Sequence, residues 1–285
     1  MNDRHALPQF ATTSDGLRIA YYIDDFTDPW IDPPSLFLLH SAMSSSRRMA
    51  AMVPHLARRF RVVRVDLRGH GATEVPRGDQ KLSLERLTQD VLDVMAHLEI
   101  LKAHFLGASG GGYIAQQLAI HHPARVSSIL LFASRPGFKD SNGAAWIPEM
   151  ERTGLRAFIA RTIEERLPLG QVSQGQVDWF LDEISRNNES FVRRFVQYMT
   201  TQYWMSDLSN IACPALIVAP KGDAIGNASA YQEMHGLIRG SELITYDQSH
   251  HNITDYMPDR CAADALEFLL RRAVPASAAR QVSSA

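Results

Sequence analysis

The sequence predicts an α/β protein: a mostly parallel, doubly wound central sheet with an inserted all-helical cap. Three observations predict it. Strand-like and helix-like segments alternate through the first half of the chain and again after about residue 209. Several of the strand-like runs are apolar without alternation, the pattern of strands covered on both faces. Between the two alternating regions, from about Arg135 to Leu208, strand signals stop and amphipathic helices follow one another. Residues 1–134 and 209–285 are therefore expected to form the sheet domain, and residues 135–208 the cap.

The elements follow in order. "RIAYYI" (Arg18–Ile23) reads as a strand and "SLFLLH" (Ser35–His40) as a fully buried one. A helix from about Ser46 to Arg58 leads to the strand "RVVRVD" (Arg61–Asp66). Ser83 is placed to cap a helix whose Leu84, Leu87, Val91 and Leu98 share a face. "AHFLGA" is the next strand, a glycine-led helix follows, and "RVSSILLFA" (Arg125–Ala133) is another buried strand. Repeated β-then-α units imply a parallel sheet with helices on both faces. In the cap, Leu155, Phe158, Ile159, Ile163 and Leu167 recur at helical spacing. A capping box, Ser173 to Gln176, opens a second helix, and Phe191, Phe195 and Met199 mark a third. The alternation resumes with "PALIVA" (Pro214–Ala219), a helix near Ala228–Ile238, the strand "ELITYD" (Glu242–Asp247) and a last helix from about Met257 to Arg272.

Composition narrows the function classes. With 285 residues, 45% of them apolar, the chain can bury a large core without disulfides or metals. A net charge of −2 supplies no basic field for nucleic acid or acidic membranes. Cys213 and Cys261 stand alone, outside any metal or redox pairing, and read as small buried hydrophobes. The opening MNDRHALPQF has no apolar core of signal-peptide length and no run approaches a membrane span, so a cytoplasmic location is expected. The last dozen residues, VPASAARQVSSA, are small and polar, as in a frayed tail.

The chemistry centres on Gly107-Ala108-Ser109-Gly110-Gly111, a Gly-x-Ser-x-Gly between a predicted strand and a predicted helix. That context is the one a nucleophile elbow requires, with glycine where a side chain would collide in the tight turn. The alternative is a glycine-rich turn that only packs a helix closely on the sheet. A serine hydroxyl needs a base, and usually a carboxylate behind it. Asp223, after "PALIVAPKG", lies at the carboxyl end of a buried strand, where ligand sites gather in open α/β sheets. After the strand ending at Ala133 the nearest carboxylate is Asp140, several residues on, so Asp223 is preferred over it. "DQSHHNITDYMP" supplies His250 and His251; neighbouring side chains in a loop diverge, so one of them is the base. His251 is the choice and His250 the alternative, with neither at metal-ligand spacing. His121-His122 reads as a helix C-terminus. Oxyanion donors are expected from the Gly110 N–H and from the loop "HSAMSSS", where Ala42 is the first candidate and Met43 the second.

With Ser109, Asp223, the His250-His251 pair, "LLHSAM" and "VDLRGHGATE" (Val65–Glu74), the chain resembles the α/β-hydrolase fold family from about Arg18 to Leu270. Cap length and the run from Trp146 to Gly154 place it near the enol-lactonase-like and esterase-like serine hydrolases. One departure is His40-Ser41, where relatives read His-Gly; it makes the oxyanion loop less free to move. Arg68 and His70 carry over as structural. The resemblance implies a two-step hydrolysis of a small, partly apolar carboxylic ester or enol-lactone: Ser109 attacks, His251 moves the proton and Asp223 orients the imidazole. It needs no metal and no organic cofactor.

Of the cap aromatics, which include Trp179, most are expected to pack helices together. Trp146 and Trp204, with Met43, are the expected substrate contacts, and Arg135 or Arg161 would suit a substrate carboxylate. The same fold and triad also allow C–C bond hydrolysis of a diketone, cofactor-free lyase or oxygen chemistry, or a binding-only descendant. The expected partner is the small-molecule substrate, with no nucleic acid and no membrane; a homodimer is allowed.

Overall fold

Strands covered on both faces need layers of helix above and below them, and the chain supplies both. The computed structural model describes residues 7–139 and 141–273; the first six residues, Asp140 and the expected tail of 274–285 lie outside the described residues. The chain runs through β1 (Gln9–Thr12), β2 (Arg18–Asp24), β3 (Ser35–Leu39), α1 (Val53–Leu56), β4 (Arg61–Val65), α2 (Leu84–His97), β5 (Ala103–Ala108), α3 (Gly110–His121) and β6 (Val126–Phe132). Four helices then follow before the next strand: α4 (Gly143–Thr153), α5 (Leu155–Arg161), α6 (Gln174–Ser185) and α7 (Glu189–Met199). The chain continues as β7 (Ala215–Pro220), α8 (Ala228–Leu237), β8 (Glu242–Tyr246), α9 (Ile253–Tyr256) and α10 (Pro258–Ala273).

The eight strands form one sheet in the order β1-β2-β4-β3-β5-β6-β7-β8. β1 and β2 pair antiparallel and β2 joins β4 antiparallel; every other pairing is parallel. Because β4 lies on one side of β3 and β5 on the other, the direction of winding reverses there. The carboxyl ends of β3 and β5 therefore open a crevice, the usual ligand position in such sheets.

Three cores hold this together. One face of the sheet packs under α2, α3 and α8, with Phe37, Phe105, Val91, Leu118 and Met234 buried. The other packs under α1 and α10, with Leu38, Leu106, Val218, Phe268 and Leu269 buried. The third lies among the cap helices, around Phe158, Ile159, Phe180, Ile184, Val192 and Val196, and takes in Met43 from the β3 loop. Helix α7 belongs to two of them: Val192 and Val196 face the cap core, while Phe191, Phe195 and Met199 face the sheet core. Each of those three large side chains contributes roughly 2–3 kcal/mol by leaving water.

Three local features differ from the sequence expectation. Between Ser46 and Met52 the predicted helix is a 3-10 helix. Pro54 has no N–H to offer the Ala50 carbonyl, which accepts from the Val53 N–H one residue earlier. At the predicted capping box, Ser173 Oγ accepts the Gln176 N–H at 3.2 Å, but the Gln176 amide reaches over to the Asp255 carbonyl at 2.9 Å. β1 was not anticipated; its four residues are too few to show a period. Cys261 is buried and Cys213 half-buried, both free, and burial pushes their thiols up to about 12 and about 11. No described helix is long and apolar enough to cross a membrane.

Candidate active site

Ser109 sits where β5 turns into α3, with φ 47° and ψ −115°. A residue other than glycine held there costs on the order of 1–3 kcal/mol, and the surroundings must enforce it. The glycines show how. A Cβ on Gly107 would lie 2.4 Å from the Gly112 Cα, and one on Gly111 only 2.1 Å from the Leu39 carbonyl oxygen of β3. Gly111 thus makes room for the neighbouring strand rather than for the far side of its own turn. The third glycine, Gly112, has a separate reason: a Cβ there would meet Ser134 Oγ at 2.2 Å, and that hydroxyl donates to the Ser109 carbonyl at 2.8 Å.

The loops after β7 and β8 deliver a carboxylate and an imidazole to the same place. His251 Nε2 lies 2.8 Å from Ser109 Oγ, and its Nδ1 lies 2.9 and 3.0 Å from the two Asp223 oxygens. A carboxylate can only accept, so the proton is on Nδ1 and the Nε2 lone pair faces the serine hydroxyl. Asp223 Oδ1 also accepts from the Ile225 and Gly226 N–H groups at 2.9 and 2.7 Å. Its Oδ2 accepts from Tyr231 Oη at 2.6 Å. Burial on its own would raise the Asp223 pKa. The facing His251 and the hydrogen bonds from His251, Tyr231 and Gly226 outweigh it and hold the carboxyl below its ordinary range. Tyr231, fully buried on α8, is a partner that the sequence reading missed. Gly226 is required beside it, since a Cβ there would lie 2.1 Å from Tyr231 Oη and 2.3 Å from Asp223 Oδ2. His250 is turned elsewhere: its N–H donates to Tyr256 Oη at 2.7 Å, and its ring is absent from the cavity lining.

Gly110 opens α3, so its N–H has no acceptor within the helix. A Cβ on Gly110 would stand 3.1 Å from the Ala42 nitrogen, so the β3 loop and the start of α3 approach closely. The Met43 N–H points away, donating to His70 Nε2 at 3.3 Å, and Met43 itself takes the left-handed φ of 59°. Ser41 is not among the left-handed residues. Two buried histidines brace this loop. His40 Nε2 accepts from the Leu67 N–H at 2.9 Å while its Nδ1 donates to the Ser41 carbonyl at 2.8 Å. His70 Nδ1 donates to the Arg68 carbonyl at 3.0 Å. Burial lowers the two pKa values to about 4 and about 3, which keeps both rings neutral and able to accept. The Arg68 guanidinium itself is buried, forked onto Asp90 at 2.7 Å through both Nε and Nη2.

Above the serine lies a cavity. Ser109, Gly110, Ala42 and His251 form its reactive end, and Met43, Phe138, Trp146, Ile159, Phe180 and Phe195 are among its apolar walls. Met43 and Trp146, the expected substrate contacts, both line this cavity. Trp204 does not: it is buried, packed edge-on against Tyr113 at 5.3 Å, and its Nε1 donates to Gln116 Oε1 at 2.9 Å. The Gln116 amide in turn reaches Ser134 at 3.3 Å, so Trp204 supports the elbow rather than the substrate. Arg161 is exposed and paired with Glu149, and Arg135 donates to the Lys139 carbonyl at 2.6 Å; neither lines this cavity. Two other arginines do, Arg48 and Arg166. The cap is tied to the catalytic-side loop through backbone: the Glu165 and Arg166 carbonyls accept from the His251 and Asn252 N–H groups at 3.5 and 3.2 Å. Among the described residues no group of three His, Cys, Asp or Glu side chains is arranged to hold a metal ion.

Comparison with known proteins gives three kinds of match. The family model described as alpha/beta hydrolase fold matches residues 34–164. The chain is 27% identical over 233 residues to the 3-oxoadipate enol-lactonase 1 of Acinetobacter baylyi, covering 76% of this chain and 82% of that protein. It is 28% identical over 254 residues to the pimeloyl-[acyl-carrier protein] methyl ester esterase of Nitrosospira multiformis, covering 82% and 94%. Among solved structures, a hydrolase from Pseudomonas aeruginosa superposes with a TM-score of 0.81 at 28% identity, over 93% of this chain and 99% of that one.

Proposed function

The chain is a member of the α/β-hydrolase fold family, and from that premise we propose that it hydrolyses a carboxylic ester or enol-lactone of a small, partly apolar substrate. The observation that carries the proposal is the continuous relay from Ser109 Oγ through His251 to Asp223, at 2.8 and 2.9 Å. His251 Nε2 takes the hydroxyl proton as Oγ attacks the carbonyl carbon. The oxygen that becomes negative is met by the Gly110 and Ala42 N–H groups, the two donors of this reading; the close approach of the Ala42 backbone to Gly110 supports it. The imidazolium, steadied by Asp223, returns the proton to the departing alkoxide, leaving an acyl group on Ser109. In a lactone that alcohol stays attached to the acyl chain. Water, deprotonated by His251, then attacks the acyl carbon, and collapse of the second tetrahedral species frees the acid and restores the serine. The apolar cavity walls suit a compact hydrocarbon acyl part. The relatives named as an enol-lactonase and a methyl ester esterase support the same bond class.

The test uses p-nitrophenyl esters of short acids and a fluorophosphonate probe. Covalent labelling at Ser109 and loss of turnover by about 10³-fold or more in Ser109→Ala and His251→Ala are expected, with His250→Ala retaining turnover. Undiminished activity in Ser109→Ala would reject the acyl-enzyme and point to chemistry led by the histidine.

A further inference from the structure

Two guanidinium groups line the cavity, and only one of them is forked onto a carboxylate. Arg48 forks onto Asp255, with Nε at 2.6 Å and Nη2 at 2.7 Å from its two oxygens, and its planar group lies 4.0 Å from the Phe180 ring centre. That pair is buried and complete. Arg166 is 5% exposed and has no such partner. Its Nη1 is spent on the Thr162 carbonyl and hydroxyl at 2.8 and 2.7 Å. The nearest carboxylate, on the exposed side of the cap, is Glu165 at 3.6 Å. Among the described residues nothing hydrogen-bonds its Nε or Nη2. The ring faces of Trp146 and Phe158 lie 5.4 and 6.0 Å from the guanidinium carbon.

A buried guanidinium with its Nε and Nη2 unbonded is costly unless an acceptor joins them. Burial, opposed by Glu165 and reinforced by the like charge of Arg48, lowers the Arg166 pKa to about 10, so the group stays charged at neutral pH. Building on the ester-hydrolase reading, we infer that Arg166 is the anchor for a free carboxylate on the substrate, which is therefore a monoanion carrying its ester or lactone bond at one end and the carboxylate at the other. The guanidinium fork matches a carboxylate better than any neutral polar group. Arg166 is also well placed to set register. Its own carbonyl accepts from the Asn252 N–H, next to His251, so the anchor and the base are one hydrogen bond apart along the backbone.

The discriminating experiment compares two acyl chains of equal length, p-nitrophenyl hydrogen adipate and p-nitrophenyl hexanoate. The wild-type protein is expected to favour the adipate half-ester in kcat/KM by about 10- to 100-fold, the range of a charge-assisted contact. In Arg166→Met that ratio should fall by a similar factor. A wild-type ratio at or below one, or a ratio unmoved in Arg166→Met, overturns the assignment. Binding separates this from the serine chemistry. Ser109→Ala should bind monomethyl adipate at least about tenfold more tightly than methyl hexanoate in a calorimetric titration, and equal affinities overturn the anchor even if Arg166→Met fails to fold. Loss of fluorophosphonate labelling with the binding difference intact would sink the acyl-enzyme and leave the anchor standing.

Discussion

Tyr231→Phe deletes one oxygen atom from the core and leaves the ring in place. That oxygen donates to Asp223 Oδ2 at 2.6 Å, a hydrogen bond to a buried carboxylate. Such bonds contribute about 1.5–3 kcal/mol, so we expect a stability loss of about 2 kcal/mol at pH 7. For a chain of this size, roughly 2–3 °C per kcal/mol converts this into a Tm drop of about 5 °C. The pH dependence follows from the direction of the Asp223 shift. Its folded pKa is depressed, so its interactions stabilise the fold above the unfolded value near about 4 and are lost as pH falls through the lower folded value. Tyr231 helps depress it, so the deficit of the variant should be complete at neutral pH and shrink once the pH drops below about 4. Activity should fall only about 3- to 10-fold, because the Ile225 and Gly226 N–H groups still hold the carboxylate against His251. Asp223→Asn, which favours the wrong imidazole tautomer, should cost about 10³- to 10⁴-fold. Thermal melts by circular dichroism at pH 7 and pH 3.5, with kcat/KM on one p-nitrophenyl ester, decide it. A Tm within about 1 °C of wild type at pH 7, or an activity loss matching Asp223→Asn, would refute the reasoning.

Three further outcomes can be checked with the same assays. Gly110→Ala places a methyl about 3.1 Å from the Ala42 nitrogen and should spread the two amides, lowering kcat about tenfold with little change in KM. Gly111→Ala has no such latitude, since its Cβ would meet the β3 backbone at 2.1 Å; a loss of about 3 kcal/mol or more should appear as poor soluble yield or a large Tm drop. His70→Leu removes the acceptor of the Met43 N–H, and kcat should fall with fluorophosphonate labelling slowed but still at Ser109.

What the sequence revealed, it revealed where meaning is local. The strand, turn and helix around Ser109 occupy a short contiguous stretch, and every glycine that shapes the turn lies within three residues of it. Asp223 was legible from its position after a buried strand. The histidine was narrower but not single, because which of two neighbours faces inward depends on Tyr256 taking hold of the His250 backbone from α9. Residues whose role depends on what folds over them were not legible. Arg166 stands after Glu164 and Glu165 in "IEERLPLG" and reads as part of a solvated charge run; only the closed cap makes it buried. Trp204 looked like a pocket wall for the complementary reason: a cap aromatic carries no mark of which side of the sheet loops it will occupy. Tyr231 showed nothing beyond an aromatic on a short helix, since its partner is eight residues back and across a turn.

Helix α7 gives the molecule a property that neither of its regions has alone. With Phe191 and Phe195 embedded among the strands' helices and Val192 and Val196 locked among the neighbouring coils of the insert, melting one part strips the other of its wall. Heat should therefore produce a single sharp transition rather than two. Excising the insert would leave not a trimmed-down protein but an exposed greasy scar where those rings had been.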